Sequence, residues 1–337
     1  MSQSTNIATG ELEAIVASAF VAADTDPAVA ATVARALTLA EIDGRKGHGL
    51  ARVPSYSAQA RSGKVDGHAA PRCEQTRAGA LIVDACHGFA YPAFDLALER
   101  LPQMVHASGI AAAAITRSHH FGVAGHQVER LSELGMVGLV FGNTPKAIAP
   151  WGGRKGVFGT NPIAFAAPRR DAPSIVIDLA LSEVARGNIL KAQQAGTSIP
   201  QDWAFDEDGR PTSDPDRALE GTMRPLGGAK GAALAFMVEV LAAALTGSHL
   251  AGEASSFFTA EGPPPAVGQL LIGIDPTAFA GGEVFAERLE SLVNDIERQE
   301  GTRLPGHRRL ELRDAASRDG INVDTSLLRE IKVIAGG

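Results

Sequence analysis

The sequence predicts an α/β enzyme, and three observations predict it. Apolar residues recur at i+4 spacing in the N-terminal third, the pattern of helices with one buried face. From residue 109 onward, short apolar runs alternate with polar or glycine-rich turns, and two of these runs flank a helix-like stretch. The composition is that of a globular enzyme, 45% hydrophobic and 20% charged. A chain of 337 residues has ample core, burying roughly 75% of its unfolded surface.

Asp26-Pro27 supplies a capping carboxylate and a proline at the first helical position. Val29, Val33, Leu37 and Ala40 follow along one face, and Asp43-Gly44 ends the helix. A second helix is expected over 52–61, closed by Ser62-Gly63. Residues 79–84 read as a short buried strand and 93–107 as a helix. The runs 110–115, 136–141, 163–167 and 175–179 read as strands, with a helix over 124–134 between the first two. After a glycine-rich turn at 227–231, residues 232–245 are apolar on nearly every face, so that helix is expected to be buried all round. A proline-rich loop at 261–267, a late strand at 268–274 and an amphipathic helix over 278–299 complete the pattern. Strand directions are not fixed by it.

The net charge of −7 disfavours nucleic acid or an anionic membrane as partner, because neither phosphate surface attracts it. Cys73 and Cys86 have no metal-binding spacing and read as buried thiols in a reducing compartment. Met1 to Gly10 shows no basic segment followed by an apolar one. No window holds the roughly 20 apolar residues that span a bilayer. A cytoplasmic location is expected.

Five segments carry candidate chemistry. In Gly47-His48-Gly49-Leu50-Ala51-Arg52-Val53-Pro54-Ser55-Tyr56, a helix starting near His48 would put His48 and Arg52 one turn apart on one face. A histidine can donate a proton and an arginine can grip a carboxylate, which suits a small 2-oxo or 2-imino acid. The alternative is a capping histidine and a surface arginine. Ser118 to His126 holds three histidines, but adjacent His119 and His120 diverge and no acidic or cysteine ligand supports them, so no metal is assigned. Its small-residue turn suits a phosphate instead.

Trp151 to Ile163, with an Asn161-Pro162 turn, implies close backbone approach to chain or ligand; Arg154 and Lys155 there are phosphate contacts or solvated charges. Asp178, ending an apolar strand, either orients a histidine or caps the following helix; its position favours the cap. Gly227-Gly228-Ala229-Lys230-Gly231 lacks the spacing of a Walker loop but opens a helix, an anion site with Lys230 as point charge. No Gly-x-Gly-x-x-Gly follows a strand, so an ordinary Rossmann site finds no support.

Taken in order, these segments resemble the type-2 malate/L-lactate dehydrogenase family over residues 10–310. Ser118-His119-His120-Phe121, the run Phe158 to Pro168 and the run Met237 to Gly247 are most similar to its Δ1-piperideine-2-carboxylate/Δ1-pyrroline-2-carboxylate reductases. The resemblance implies an L-sulfolactate dehydrogenase-like, non-classical dinucleotide fold with a mixed sheet and flanking helices. It implies a homodimer, with residues 1–108 plus 310–337 as a helical substrate and dimerisation domain and 109–309 as the NADP-binding sheet domain.

The resemblance also implies roles. His48 would be the proton donor, Asp178 its relay partner, and Arg52 and Thr160 the substrate-carboxylate contacts. The cofactor, NADPH with NADH as the other option, would lie along His120, Phe121, Gly122, Val123 and Ala124, then Asp178, Leu179 and Ala180, then Arg186 and Gly187, then Ala229, Lys230 and Gly231. Arg303, Arg308 and Arg309 would suit the extra 2′-phosphate of NADPH. One position departs from the family pattern: Gly47 stands where a serine of the proton relay is usual. The activity implied is NADPH-dependent reduction of cyclic imino acids to L-pipecolate and L-proline, with His48 holding or supplying the proton of the imine. The alternatives are an NAD-dependent 2-hydroxy acid dehydrogenase and a relative that binds dinucleotide without turnover.

Overall fold

The structure, a computed structural model, describes residues 3–337; the first two residues of the Met1 to Gly10 segment lie outside them. Strand β1 (Ser4–Ile7) leads into helices α1 (Thr9–Val21) and α2 (Pro27–Ile42). Asp26 caps α2 as expected, its carboxylate accepting from the N–H groups of Ala28 and Val29. The helix expected over 52–61 is present, but it does not reach back to His48. No α-helix starts near His48; two 3₁₀ turns, Lys46–His48 and Leu50–Arg52, precede α3 (Val53–Arg61). Gly49 separates them at φ −96°, ψ −136°, where a Cβ would meet the backbone N and Cα of Glu41 at 3.0 and 3.1 Å. The close packing of Gly49 on α2 therefore leaves room only for glycine at this turn.

Strands β2 (Arg72–Arg77) and β3 (Ala80–Asp84) form a hairpin, and α4 (Ala90–Ser108) crosses over to β4 (Ile110–Ser118). Helix α5 (Ala124–Glu133) then leads to β5 (Val137–Gly142), β6 (Ile163–Ala167) and β7 (Ile175–Leu179). Helix α6 (Arg186–Gln194), the short pair β8 (Ala204–Phe205) and β9 (Thr222–Met223) around α7 (Pro215–Glu220), and helix α8 (Ala229–Glu239) with a π turn at Val240–Ala244 follow. Strand β10 (Val267–Ile274), helices α9 (Gly282–Glu297) and α10 (His307–Asp319), strand β11 (Ile321–Asp324) and helix α11 (Thr325–Ile334) end the chain.

The main sheet has seven strands in the order β2-β3-β4-β10-β5-β6-β7. It is mixed: β3 and β4 are parallel and every other pair is antiparallel. The sheet begins before the boundary expected at residue 109, because β3 pairs with β4 through the α4 crossover. Strand β2 escapes a hydrophobic reading, since Arg-Cys-Glu-Gln-Thr-Arg is a largely exposed edge.

One sheet face packs on α4 and α5 through Phe94, Leu101, Ile115, Leu131 and Leu271. The other carries Ile148, Phe158, Leu181, Val238 and Leu270. A separate core joins the two ends of the chain: β1 pairs with β11, and Leu12, Phe20, Leu37, Tyr56 and Ile331 fill the space between the helices.

Helix α8 is not buried all round. Ala232, Ala235 and Val238 face the core, whereas Leu234, Phe236, Met237 and Val240 are 41%, 59%, 39% and 43% exposed. No helix among the described residues is long and apolar enough to cross a membrane.

Candidate active site

Backbone hydrogen bonds draw the motif segments together at the end of β7. Leu181 N–H donates to Thr160 O at 2.8 Å, Leu226 N–H to Leu181 O at 2.9 Å, and Glu183 N–H to Arg224 O at 2.8 Å. The Thr160-Asn161 turn is fixed from below. Asn161, at φ 39°, donates through Nδ2 to Ala235 O and to Glu239 Oε2 at 2.9 and 2.8 Å, while Thr144 Oγ1 accepts from Thr160 N–H at 2.9 Å. Asparagine tolerates this left-handed backbone because its short amide finds local partners.

A chain of three aromatic groups forms the second part of the site. His48 Nδ1 and His120 Nε2 are 3.2 Å apart, and His120 Nδ1 is hydrogen-bonded to the Tyr56 hydroxyl. The other histidines of the 118–126 segment turn elsewhere: His119 Nε2 meets Gln59 Oε1 at 2.7 Å, and His126 Nε2 meets Asp43 Oδ2 at 2.9 Å. Burial, then the Arg52 and Arg45 charges, push the His48 pKa down to about 3. Burial, then Arg52 and Lys64, take His119 to about 3, and burial with Arg52 takes His120 well down too. Burial lifts Tyr56 to about 12.

All four groups are therefore neutral near pH 7. Tyr56 keeps its proton and donates to His120 Nδ1, so His120 Nε2–H donates to His48 Nδ1. The network thus assigns the His48 tautomer with Nε2–H as donor.

Arg52 is nearly buried. Its Nε–H donates to Gly47 O at 2.8 Å, and the Phe258 ring covers its guanidinium at 4.4 Å. Its Nη1 is buried with no hydrogen-bond partner. An unmet charged donor is costly, and a ligand carboxylate is the acceptor that satisfies it best.

Several expected roles are revised by the geometry. Asp178 Oδ2 accepts from Gly125 N–H at 2.9 Å, and the His48 hydrogen bond runs to His120 instead. Burial, the largest influence on Asp178, raises its pKa. The residue thus meets the N-terminal turn of α5, not the helix that follows it, and holds an N–H expected to serve a phosphate. The Phe121 ring lies in the core, stacked on Phe94 at 5.5 Å between ring centres, which leaves only its backbone for a cofactor. Val123 and Ala124 are buried beside it. Arg309 is bound to Glu129 at 2.6 Å within a network that Arg313 extends to Asp43, so it is not a free phosphate ligand.

Arg303, Arg308 and Lys230 are exposed and form no ion pair among the described residues. Arg186 donates to Leu219 O at 3.2 Å, with Gly187 beside it in open space and no acidic partner. Gly227 and Gly228, at φ 61° and 67°, precede the N-terminus of the 11-residue α8, an end that suits an anion such as a phosphate. Leu179, at the strand end next to Ala180, is 49% exposed.

The sequence pattern did not assign Tyr56, Gln59 or Phe258 to the site. Tyr56 stands in the first motif, one turn beyond Arg52, and that spacing is the signal for it. Phe258 comes from a distant loop with no local signal.

Comparison with known proteins places the chain among oxidoreductases. It matches the malate/L-lactate dehydrogenase family over residues 7–332 and belongs to it. A (2R)-3-sulfolactate dehydrogenase (NADP(+)) of Chromohalobacter salexigens is 53% identical over 285 residues, covering 84% of each chain. A Delta(1)-pyrroline-2-carboxylate/Delta(1)-piperideine-2-carboxylate reductase of Pseudomonas putida is 41% identical over 97% of this chain and 96% of its own. The crystal structure of delta1-piperideine-2-carboxylate reductase from Pseudomonas syringae pvar. tomato superposes with a TM-score of 0.93 at 38% identity, covering 98% of this chain and 99% of that one.

Proposed function

We propose that the protein is an NADP-dependent oxidoreductase that interconverts a small 2-oxo acid and its 2-hydroxy acid, with 3-sulfopyruvate and (2R)-3-sulfolactate as the pair. Arg52, whose buried Nη1 has no partner, supports a small acid with a carboxylate as substrate, and the 53% identity to a (2R)-3-sulfolactate dehydrogenase supports this particular pair. Arg52 holds the substrate carboxylate, with Thr160 as the second contact.

Bound nicotinamide supplies the hydride that reaches C2. As the carbonyl becomes an alkoxide, its oxygen takes the Nε2 proton of His48. His48 Nδ1 regains a proton from His120 Nε2, His120 Nδ1 regains one from the Tyr56 hydroxyl, and the phenolate left behind takes a proton from water before the next turnover. Oxidation runs the same transfers backward. The backbone of 120–124 and 178–180 would hold the dinucleotide, with Arg186, Gly187 and the Ala229-Lys230-Gly231 turn for its phosphates. Arg303 and Arg308 take the 2′-phosphate.

Reduction of Δ1-piperideine-2-carboxylate and Δ1-pyrroline-2-carboxylate, expected from the sequence, is the second reading. The long alignments to such reductases support it. It stands second because the sulfolactate dehydrogenase of Chromohalobacter salexigens is the more similar relative, 53% identical against 41% for the reductase of Pseudomonas putida.

The exposed apolar face of α8 supports a homodimer built there, on the sheet part of the chain and not on the helical part expected to dimerise. A kcat/KM panel with NADPH and NADH tests the activity on 3-sulfopyruvate, both cyclic imines, pyruvate and oxaloacetate. Highest efficiency with 3-sulfopyruvate supports the first reading. Highest efficiency with a cyclic imine overturns it in favour of the second.

A further inference from the structure

The loop 254–262 is fastened to α3 and its C-terminal end by polar side chains that the mechanism does not use. Lys64, only 2% exposed, donates from Nζ to Ser256 O, Thr259 O and Glu261 O at 2.7, 2.9 and 2.9 Å. All three ammonium protons thus meet backbone carbonyls of one loop. Gln59 Nε2 donates to Phe257 O at 2.8 Å, and Ser62 Oγ donates to Ala260 O at 2.8 Å. Gln59 Oε1 accepts from His119 Nε2 at 2.7 Å, which ties the same loop to the histidine segment. The Phe257 ring packs against both His119 and His120, at 5.3 and 5.1 Å.

The consequence falls on the next residue. Phe258 is 51% exposed, so core packing alone does not explain its position, and its ring lies over the Arg52 guanidinium at 4.4 Å. A guanidinium covered on its face and tied at Nε to Gly47 O has only its Nη edge left for a ligand.

We propose that Phe258 is a positioning residue for the substrate: held by the Lys64-anchored loop, it fixes the plane of Arg52 so that the Nη edge meets the substrate carboxylate. This rests on the reading of Arg52 as the carboxylate contact. Removing the aromatic ring frees the guanidinium to rotate, so the carboxylate is gripped less well. The loss should fall on KM more than on kcat, because the proton chain from Tyr56 to His48 does not pass through Phe258.

The test is steady-state kinetics of the full-length Phe258→Leu, Phe258→Tyr and Arg52→Lys variants on the best substrate of the panel. Thermal melts confirm folding of all three; half-exposed Phe258 makes its two variants suitable. Phe258→Leu should raise KM about 3- to 30-fold, the span from an exposed to a desolvated cation–π contact. Phe258→Tyr, which keeps the ring, should stay within about twofold of wild type, because a phenol face also holds a guanidinium. A raised KM in Arg52→Lys with an unchanged KM in Phe258→Leu overturns the proposal alone. An unchanged KM in Arg52→Lys overturns the carboxylate reading beneath it. Equal losses in Phe258→Leu and Phe258→Tyr also overturn the proposal, since the aromatic face would then not be what matters.

Discussion

His48 Nδ1 lies 3.2 Å from His120 Nε2, with the two rings stacked 10° from parallel. This contact takes the place of a His48–Asp178 pair and passes on to Tyr56, a group that holds its proton up to about pH 12. The proton source is then a neutral chain and not an imidazolium.

The pH profile follows. A histidine acting as imidazolium with an ordinary pKa near 6.5 gives a reductive kcat/KM that falls as pH rises past that value. With His48 at about 3, the reductive kcat/KM should be flat from about pH 5 to 8. Stability should behave differently. The pKa values of His48, His119 and His120 are lowered by folding, so the unfolded chain binds more protons below about pH 6.5. The melting temperature should hold above that pH and fall as pH drops toward 3. A kinetic inflection near 6.5 contradicts the neutral relay.

Tyr56→Phe removes the end of the relay while keeping the ring. We expect kcat for reduction to fall about 10- to 100-fold, short of the full loss of a general acid because water can resupply His120. KM should change little. Stopped-flow NADPH oxidation measures it, and an unchanged rate places the proton source elsewhere.

The arginines near the C-terminus should separate by role. Arg308→Ala, at an exposed and unpaired site, should lower the preference for NADPH over NADH by about tenfold without changing the melting temperature. Arg309→Ala should mainly destabilise the fold, because it removes a partner of nearly buried Glu129. Paired kinetics with both cofactors and thermal melts distinguish them.

These arginines also show what was legible in the sequence. Adjacent basic residues in one motif read as one cluster, yet the start of a helix sends Arg309 inward to Glu129 and leaves Arg308 outside. The α/β class, the capped α2 and the strands from 110 to 179 were legible because burial periodicity and cap chemistry are local. The five motifs were legible as segments; backbone hydrogen bonds at Leu181 join the third to the fourth and reach Leu226 just before the fifth, while the Asp178 carboxylate joins the fourth to the second. Partner choice was not legible. Asp178 could reach any helix end that topology brought to it, and the topology brought α5. The helix over 52–61 was legible, but the close approach of Gly49 to Glu41 on α2, which fixes the turn ahead of it, is a tertiary effect with no trace in local spacing. Phe258 reaches Arg52 only through a loop about 200 residues away, which spacing rules do not see.

Helix α8 provides another test. Its exposed Leu234, Phe236 and Met237 form an apolar face larger than isolated surface residues explain. If the α8 face pairs two copies, as proposed, wild type should scatter light as a dimer at micromolar concentration and Phe236→Glu as a monomer. A wild-type protein already monomeric at that concentration removes this interface.

The most direct test of the whole account is the single-turnover rate of hydride transfer from NADPH in the His48→Ala variant. Loss of the positioned acid should slow it about 10²–10⁴-fold with KM little changed. A wild-type rate in that variant removes His48 from the mechanism and contradicts the account.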